Sequence, residues 1–278
     1  MEGYEFRTKR FLARGNKLVI AALDHGAFHG PIDGLESPKD TCSQLNKADG
    51  VLMAPGLIRH VADEFTGSNA PPIITRLSWN STYCFQWNYC ESHHRQMFSA
   101  RYAISLGADI LLTSLSINTG SEEVDTNNVS VFCKIVEESH ELGIPLIGEY
   151  YPANTEKMTA EELHEQVKIG CRVIAELGAD IIKTFYTGEN FSEIVDSTPV
   201  PIFVLGAEKT PTEKDALLLA YKAARSGARG IVFGRNIVQS RSPANFIESA
   251  RLVMNNKMEV NEAVETYLSN SAKTAVRN

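Results

Sequence analysis

Glu176-Leu177-Gly178-Ala179-Asp180-Ile181-Ile182-Lys183-Thr184 reads as the end of a helix, a glycine cap and a short apolar strand. The same phrase recurs at Ser105-Leu106-Gly107-Ala108-Asp109 and at Arg225-Ser226-Gly227-Ala228-Arg229. A repeated helix–Gly–Ala–strand join is the grammar of a chain of βαβ units, which gives parallel pairing and right-handed crossovers. Outward from these joins, eight β-branched or apolar runs alternate with longer helical patterns. They are Leu18–Leu23, Gly50–Met53, Pro72–Leu77, Asp109–Leu115, Ile144–Tyr150, Asp180–Thr184, Val200–Leu205 and Gly230–Gly234. Several are almost wholly apolar, as strands covered on both faces are. Eight such units predict a closed (β/α)8 barrel over about residues 17–255. The alternative, an open doubly wound sheet of the dinucleotide-binding kind, lacks its Gly-x-Gly-x-x-Gly after the first strand.

The 278 residues suit a single domain, with no linker, low-complexity tract or break in composition. Residues 4–16 set Arg7, Lys9, Arg10 and Arg14 around Phe6, Phe11 and Leu12, a short helix expected to cap the barrel bottom. Lys257–Leu268 reads as one more helix, followed by a polar, frayed end. A net charge of −7 argues against nucleic acid as a partner and leaves any anionic substrate dependent on a local positive pocket. Five scattered cysteines without a Cys-x-x-Cys pair fit a reduced compartment. The first residues hold no apolar signal core and no run would span a membrane, so the expectation is a soluble, cytoplasmic protein.

In this fold the active site lies at the C-terminal ends of the strands. That rule gathers Asp24 and His25 from the first strand, Glu149 and Tyr151 from the fifth, and Lys183 from the sixth. Gly206 and Lys209 follow the seventh strand, and Gly234 and Arg235 the eighth. A strand-end lysine most simply snorkels to solvent. One held in a mouth loses stability in its charged form, and a neutral amine attacks a ketone or aldehyde to give a Schiff base. Asp24 could stabilise the resulting iminium, or simply cap the next helix. His25 is read first as a hydrogen-bond hub and second as a proton shuttle. Tyr151 offers a phenol for proton transfer or a plain wall. Strand alternation turns Glu149 and Tyr151 to the same, inner side, where Lys183 is a candidate partner for the glutamate. Gly206, Lys209, Gly234 and Arg235, with the helix start at Asn236, form a candidate phosphate cup.

The segment Trp79–Phe98 is unusual, with both tryptophans, Tyr83, Phe85, Tyr89, Cys84, Cys90, His93 and His94. It should overhang the mouth as a lid or a subunit contact. Its cysteines and histidines match no standard zinc spacing, so no metal is expected.

Leu23-Asp24-His25-Gly26, Lys183-Thr184-Phe185-Tyr186-Thr187-Gly188, Lys209-Thr210 and Gly234-Arg235-Asn236-Ile237-Val238-Gln239 together resemble the archaeal-type class I fructose-bisphosphate aldolase family. That family belongs to the wider deoxyribose-phosphate and tagatose-bisphosphate aldolase group. The resemblance runs from about Lys17 to Val253. It implies a TIM barrel, Lys183 as the Schiff-base lysine, Asp24 beside the imine and Tyr151 as the proton-transfer group. It also implies phosphate near Gly206, Ala207, Gly234 and Arg235, and a homo-oligomer; no cofactor is expected.

Tyr151-Pro152 matches the aldolase branch, whereas Phe28-His29-Gly30-Pro31 is closer to an autoinducer-2 thiolase branch. Two places depart from the pattern. The family's Gly-Gly-Pro-Lys-Thr is Leu205-Gly206-Ala207-Glu208-Lys209-Thr210 here, which brings Glu208 towards the cup. Its Ser-Gly-Gly is Ser78-Trp79-Asn80, so Trp79 is expected to reshape the place of a second phosphate. The expectation is a metal-independent class I aldolase acting on a phosphorylated ketose. The alternatives are a coenzyme A-dependent acyltransferase and a non-catalytic sugar-phosphate-binding barrel.

Overall fold

The computed structural model describes residues 2–89 and 91–275. Ten strands form: β1 (Leu18–Ala22), β2 (Gly50–Met53), β3 (Ile73–Arg76), β4 (Ser78–Asn80), β5 (His94–Gln96), β6 (Ile110–Leu115), β7 (Leu146–Tyr150), β8 (Ile181–Thr184), β9 (Ile202–Leu205) and β10 (Gly230–Phe233). Eight of them close into a parallel barrel in the order β1-β10-β9-β8-β7-β6-β3-β2, and each lies within the run read from sequence. β4 and β5 pair antiparallel as a separate hairpin after β3.

The joins behave as their sequence dictates. Gly107, Gly178 and Gly227 take φ of 99°, 103° and 97°, a conformation that a Cβ would oppose. The following alanine N–H then bonds back across the helix end, Ala108 to Ala103 O, Ala179 to Ile174 O and Ala228 to Ala223 O, at 3.0–3.2 Å. Gly143 makes a fourth such join, with φ of 68°. An aspartate opens three strands and fixes the register of the neighbour. Asp49, Asp109 and Asp180 each accept, at 2.8 Å, the N–H of Val19, Ile73 and Leu146.

Alternation along the strands then decides what lies inside. Leu18, Ile20, Leu52, Ile74, Ile110, Leu112, Ile147, Ile181, Phe203 and Val232 fill the lower interior. The expected N-terminal helix forms over Gly3–Leu12 and pushes Phe11 into this cluster from below, against Phe203. Burying one such side chain stabilises by about 1.5–3 kcal/mol. Arg229 donates to Leu12 O and Gly15 O, which pins the helix exit to the barrel bottom. The outward residues pack under the helices. Tyr150, for example, lies on the helix Ala160–Glu176 at Gly170, where a Cβ would sit 2.1 Å from the ring. The C-terminal helix runs Val260–Ala275, longer than the sequence pattern indicates, and buries Ala263 and Tyr267. Residues 276–278 lie outside the described residues.

Candidate active site

The next interior residue above the apolar layer on five strands is polar: Asp24 beyond β1, Arg76 on β3, Ser114 on β6, Glu149 on β7 and Lys183 on β8. The four charged ones are 2–6% exposed. Burying four charges is costly unless geometry repays it, and here it does so closely. Arg76 donates from Nε to Asp24 Oδ2 at 2.5 Å, from Nη1 to Ser114 Oγ at 2.7 Å and from Nη2 to Glu149 Oε2 at 2.6 Å. Lys183 Nζ lies 2.5 Å from the other carboxylate oxygen, Glu149 Oε1. Glu149 Oε2 also accepts from Ser114 Oγ and from the Tyr83 hydroxyl, both at 2.8 Å. Two cations and two anions balance in one connected network.

The electrostatics follow from that network. Burial works against the charge on Asp24 and Glu149, but Arg76 and then Lys183 outweigh it, so both carboxyls titrate below the ordinary range. Burial and the Glu149 charge raise the Tyr151 phenol to about 12, so it stays protonated at neutral pH. Burial lowers His25 to about 4 and keeps it neutral.

A cavity open to solvent sits over Lys183. It gathers most of the residues read from sequence: Asp24, His25, Glu149, Tyr151, Lys183, Gly206, Ala207, Gly234 and Arg235. Tyr151 packs edge-on against Tyr83 and Phe185 at 4.9 and 4.7 Å. Glu149 and Tyr151 share the inner side, as alternation requires.

Lys209 stands apart. It does not line the mouth, and its Nζ is buried without a partner on the loop after β9. Glu208 is exposed and off the cavity lining, though its charge still raises the Tyr151 phenol. Asp24 caps no helix. Its carboxylate meets Arg76, and the carboxylate touching the lysine is Glu149. His25 is not the expected hub at Nδ1, which is buried with no partner. Its ring fills the space that a Cβ on Gly234 would take, 2.1 Å from Cε1.

The cup residues have definite local reasons. Gly206 packs under Phe233, whose ring would lie 2.9 Å from an added Cβ. Ala207 holds φ of 47°, a left-handed conformation costing an alanine roughly 1 kcal/mol. Arg235 fixes it by donating from Nη2 to Ala207 O at 2.8 Å. Asn236 ties Gly206 O, Glu208 O and the Thr210 N–H together. The helix there is a single turn, Arg235–Val238.

The β4–β5 hairpin brings in what sequence reading missed. Tyr83 closes the β3 side of the mouth, 5.0 Å edge-on from Phe28, with both rings over the Arg76 guanidinium. Trp79 does not line the mouth, contrary to expectation. It packs behind Tyr83 and beside Tyr89. Of the zinc-spacing residues, His93 pairs with Glu91 and His94 with Ser116, while Cys90 lies outside the described residues. Arg76 and Ser114 had a legible signal, since alternation from Ile74 and Leu112 turns both inward. Tyr83 had none, because it depends on the path of an irregular loop.

The fold is a closed parallel barrel with a buried amine in the cavity at the C-terminal ends of its strands. Residues 18–240 match the model of the DeoC/LacD family of aldolases, and the chain belongs to that family. An uncharacterised aldolase of Saccharolobus solfataricus is 31% identical over 95% of this chain and 99% of its own. A 3-hydroxy-5-phosphonooxypentane-2,4-dione thiolase of Escherichia coli is 29% identical over 96% of this chain and 87% of its own. The structure of an archaeal fructose-1,6-bisphosphate aldolase has its catalytic lysine covalently bound to the carbinolamine intermediate of its substrate. It superposes with a TM-score of 0.75 at 27% identity, covering 89% of this chain and 99% of that one. By family and by this likeness the chain is a class I, Schiff-base aldolase, a lyase.

Proposed function

We propose that Lys183 is the Schiff-base nucleophile of an aldolase that reversibly cleaves a phosphorylated ketose. The observation that supports this most is the Lys183–Glu149 contact of 2.5 Å inside the mouth cavity. An amine must shed a proton before it attacks, and Glu149 is in contact to receive it; as Lys183 loses its charge, one of the two cations that hold the Glu149 carboxyl down is removed. Lys183 then adds to the ketone carbon, and loss of water gives an iminium. The iminium draws the electrons of the neighbouring C–C bond, so no metal is needed as electron sink. Asp24, oriented by Arg76, supplies negative charge close to the iminium. Tyr151 enters as a neutral phenol. In cleavage it first gives its proton to the carbinolamine hydroxyl, which leaves as water, and the phenolate then takes the proton of the substrate hydroxyl as the C–C bond breaks; condensation runs the same transfers in reverse. The enamine left behind is protonated, and hydrolysis frees Lys183. Gly206, Ala207, Gly234 and Arg235 hold the substrate phosphate. The test is borohydride reduction in the presence of a ketose phosphate, followed by mapping the added mass to Lys183.

A second reading, a coenzyme A-dependent acyl transfer through the same lysine, is favoured by the likeness to thiolases and by Phe28 and His29 in the mouth lining. Product analysis with and without coenzyme A separates the two. We take the chain as one barrel domain, acting in the cytoplasm as a homo-oligomer. Free, buried Cys42, Cys84 and Cys171 support a reducing compartment, and exposed Trp87 and Tyr89 on the hairpin offer a subunit contact. Among the described residues no helix is long and apolar enough to cross a membrane.

A further inference from the structure

We infer that the mouth holds one phosphate, on its β9–β10 side, and that the far end of the substrate carries none. This rests on the aldolase reading of Lys183 and narrows its substrate class to ketose monophosphates. In the closed ring β9 lies four strands from β3, and β10 four strands from β6. A substrate anchored at the cup and stretched across Lys183 therefore ends against β3 and β6.

The two sides differ in what they offer an anion. On the cup side, Arg235 is the one lysine or arginine in the mouth lining without a carboxylate partner among the described residues. His25, from the loop after the adjacent β1, adds a buried Nδ1 that lacks a hydrogen-bond partner. Ala207, held at positive φ by Arg235, is exposed in the same lining.

On the far side, Arg76 is already spent. Its Nε, Nη1 and Nη2 are bonded to Asp24, Ser114 and Glu149. Phe28 and Tyr83 cover its face, with ring centres 5.3 and 5.2 Å away. Lys183 faces Glu149, and His29 donates from Nε2 to Tyr83 O at 2.5 Å. A phosphate placed there would meet two carboxylates and aromatic faces, with no unpaired lysine or arginine among the described lining residues. A hydroxylated or apolar carbon end suits the same wall.

The test uses the intact protein and dihydroxyacetone phosphate, trapped on Lys183 with borohydride and counted by mass. Fructose 1-phosphate, fructose 6-phosphate and fructose 1,6-bisphosphate are then added as competitors. The better monophosphate should compete at a concentration at least about tenfold below the bisphosphate, the cost of one unpaired buried anion. Arg235→Gln should raise the dihydroxyacetone phosphate concentration for half-trapping by about 10–100-fold, the loss of a charge-assisted contact. A bisphosphate that competes as well as both monophosphates overturns the inference. If none of the three competes, the Arg235→Gln arm decides, and unchanged trapping overturns it. Absence of any dihydroxyacetone phosphate adduct on Lys183 instead refutes the aldolase reading, and the inference falls with it.

Discussion

Glu149→Gln removes one charge from the centre of the buried network and keeps the shape of the side chain. In the native mouth Asp24 and Glu149 balance Arg76 and Lys183. The variant leaves a net buried cation, and breaking one partner of such a pair costs about 3–5 kcal/mol. The amide oxygen can still accept from Arg76, Ser114 and Tyr83, which now reach Glu149 Oε2 at 2.6, 2.8 and 2.8 Å. That retention puts the loss near the lower end, about 3 kcal/mol. The amide nitrogen then faces Lys183 where a carboxylate oxygen lay at 2.5 Å, so two donors meet. The lysine must give its proton to water instead of to Glu149. Loss of a positioned acceptor typically slows such a step by about 10²–10⁴-fold. Denaturant unfolding measures the stability, and rapid borohydride quenching measures imine formation with dihydroxyacetone phosphate. Trapping in the variant should be slowed by that factor and should climb as pH rises, as solvent base takes over. A folded variant that traps substrate at the wild-type rate, with the wild-type pH profile, would refute Glu149 as the acceptor.

Tyr151→Phe keeps the ring contacts to Tyr83 and Phe185 and removes only the hydroxyl. Single-turnover cleavage should slow by about 10²–10⁴-fold while trapping on Lys183 persists, and an unchanged cleavage rate makes Tyr151 a wall. His94 is fully buried, and desolvation holds it down at about 3. Above pH 6.5 it is neutral whether folded or unfolded and contributes no slope. Below that, the unfolded chain takes a proton that the native ring refuses. Stability should then fall by about 1.4 kcal/mol per pH unit towards pH 3. Unfolding of His94→Gln between pH 7 and 5 should show a flatter loss, and an equal slope removes His94 as the cause. Incubation with EDTA should leave cleavage unchanged, and activity lost to EDTA and restored by zinc would assign the electron sink to a metal.

The barrel was legible because its signals are local. Gly107, Gly178 and Gly227 each need positive φ next to a helix end, and the apolar runs that follow are buried on both faces. The common placement of Lys183, Asp24 and Tyr151 was legible because the strand ends of this fold share one face. What alternation could have added, the inward turn of Arg76 and Ser114, changes which carboxylate serves the lysine. Glu149 touches Lys183, and Asp24 serves Arg76. The path of residues 81–89 was not legible. Short 3-10 turns at Ser81–Tyr83 and Phe85–Trp87 and a left-handed Asn88 carry it, and no periodicity announces them. The position of Tyr83 over the mouth depends on that path. Lys209 lies off the mouth lining for a related reason, since the strained Ala207 and the Asn236 clamp set the direction of the loop after β9.

The central claim is that Lys183 forms the covalent bond to substrate. Borohydride reduction with dihydroxyacetone phosphate, followed by peptide mass analysis, addresses it directly. One adduct per chain is expected on the peptide containing Lys183, with loss of activity in proportion to its formation and no adduct in Lys183→Met. An adduct on Lys209, or full inactivation with Lys183 unmodified, would contradict it.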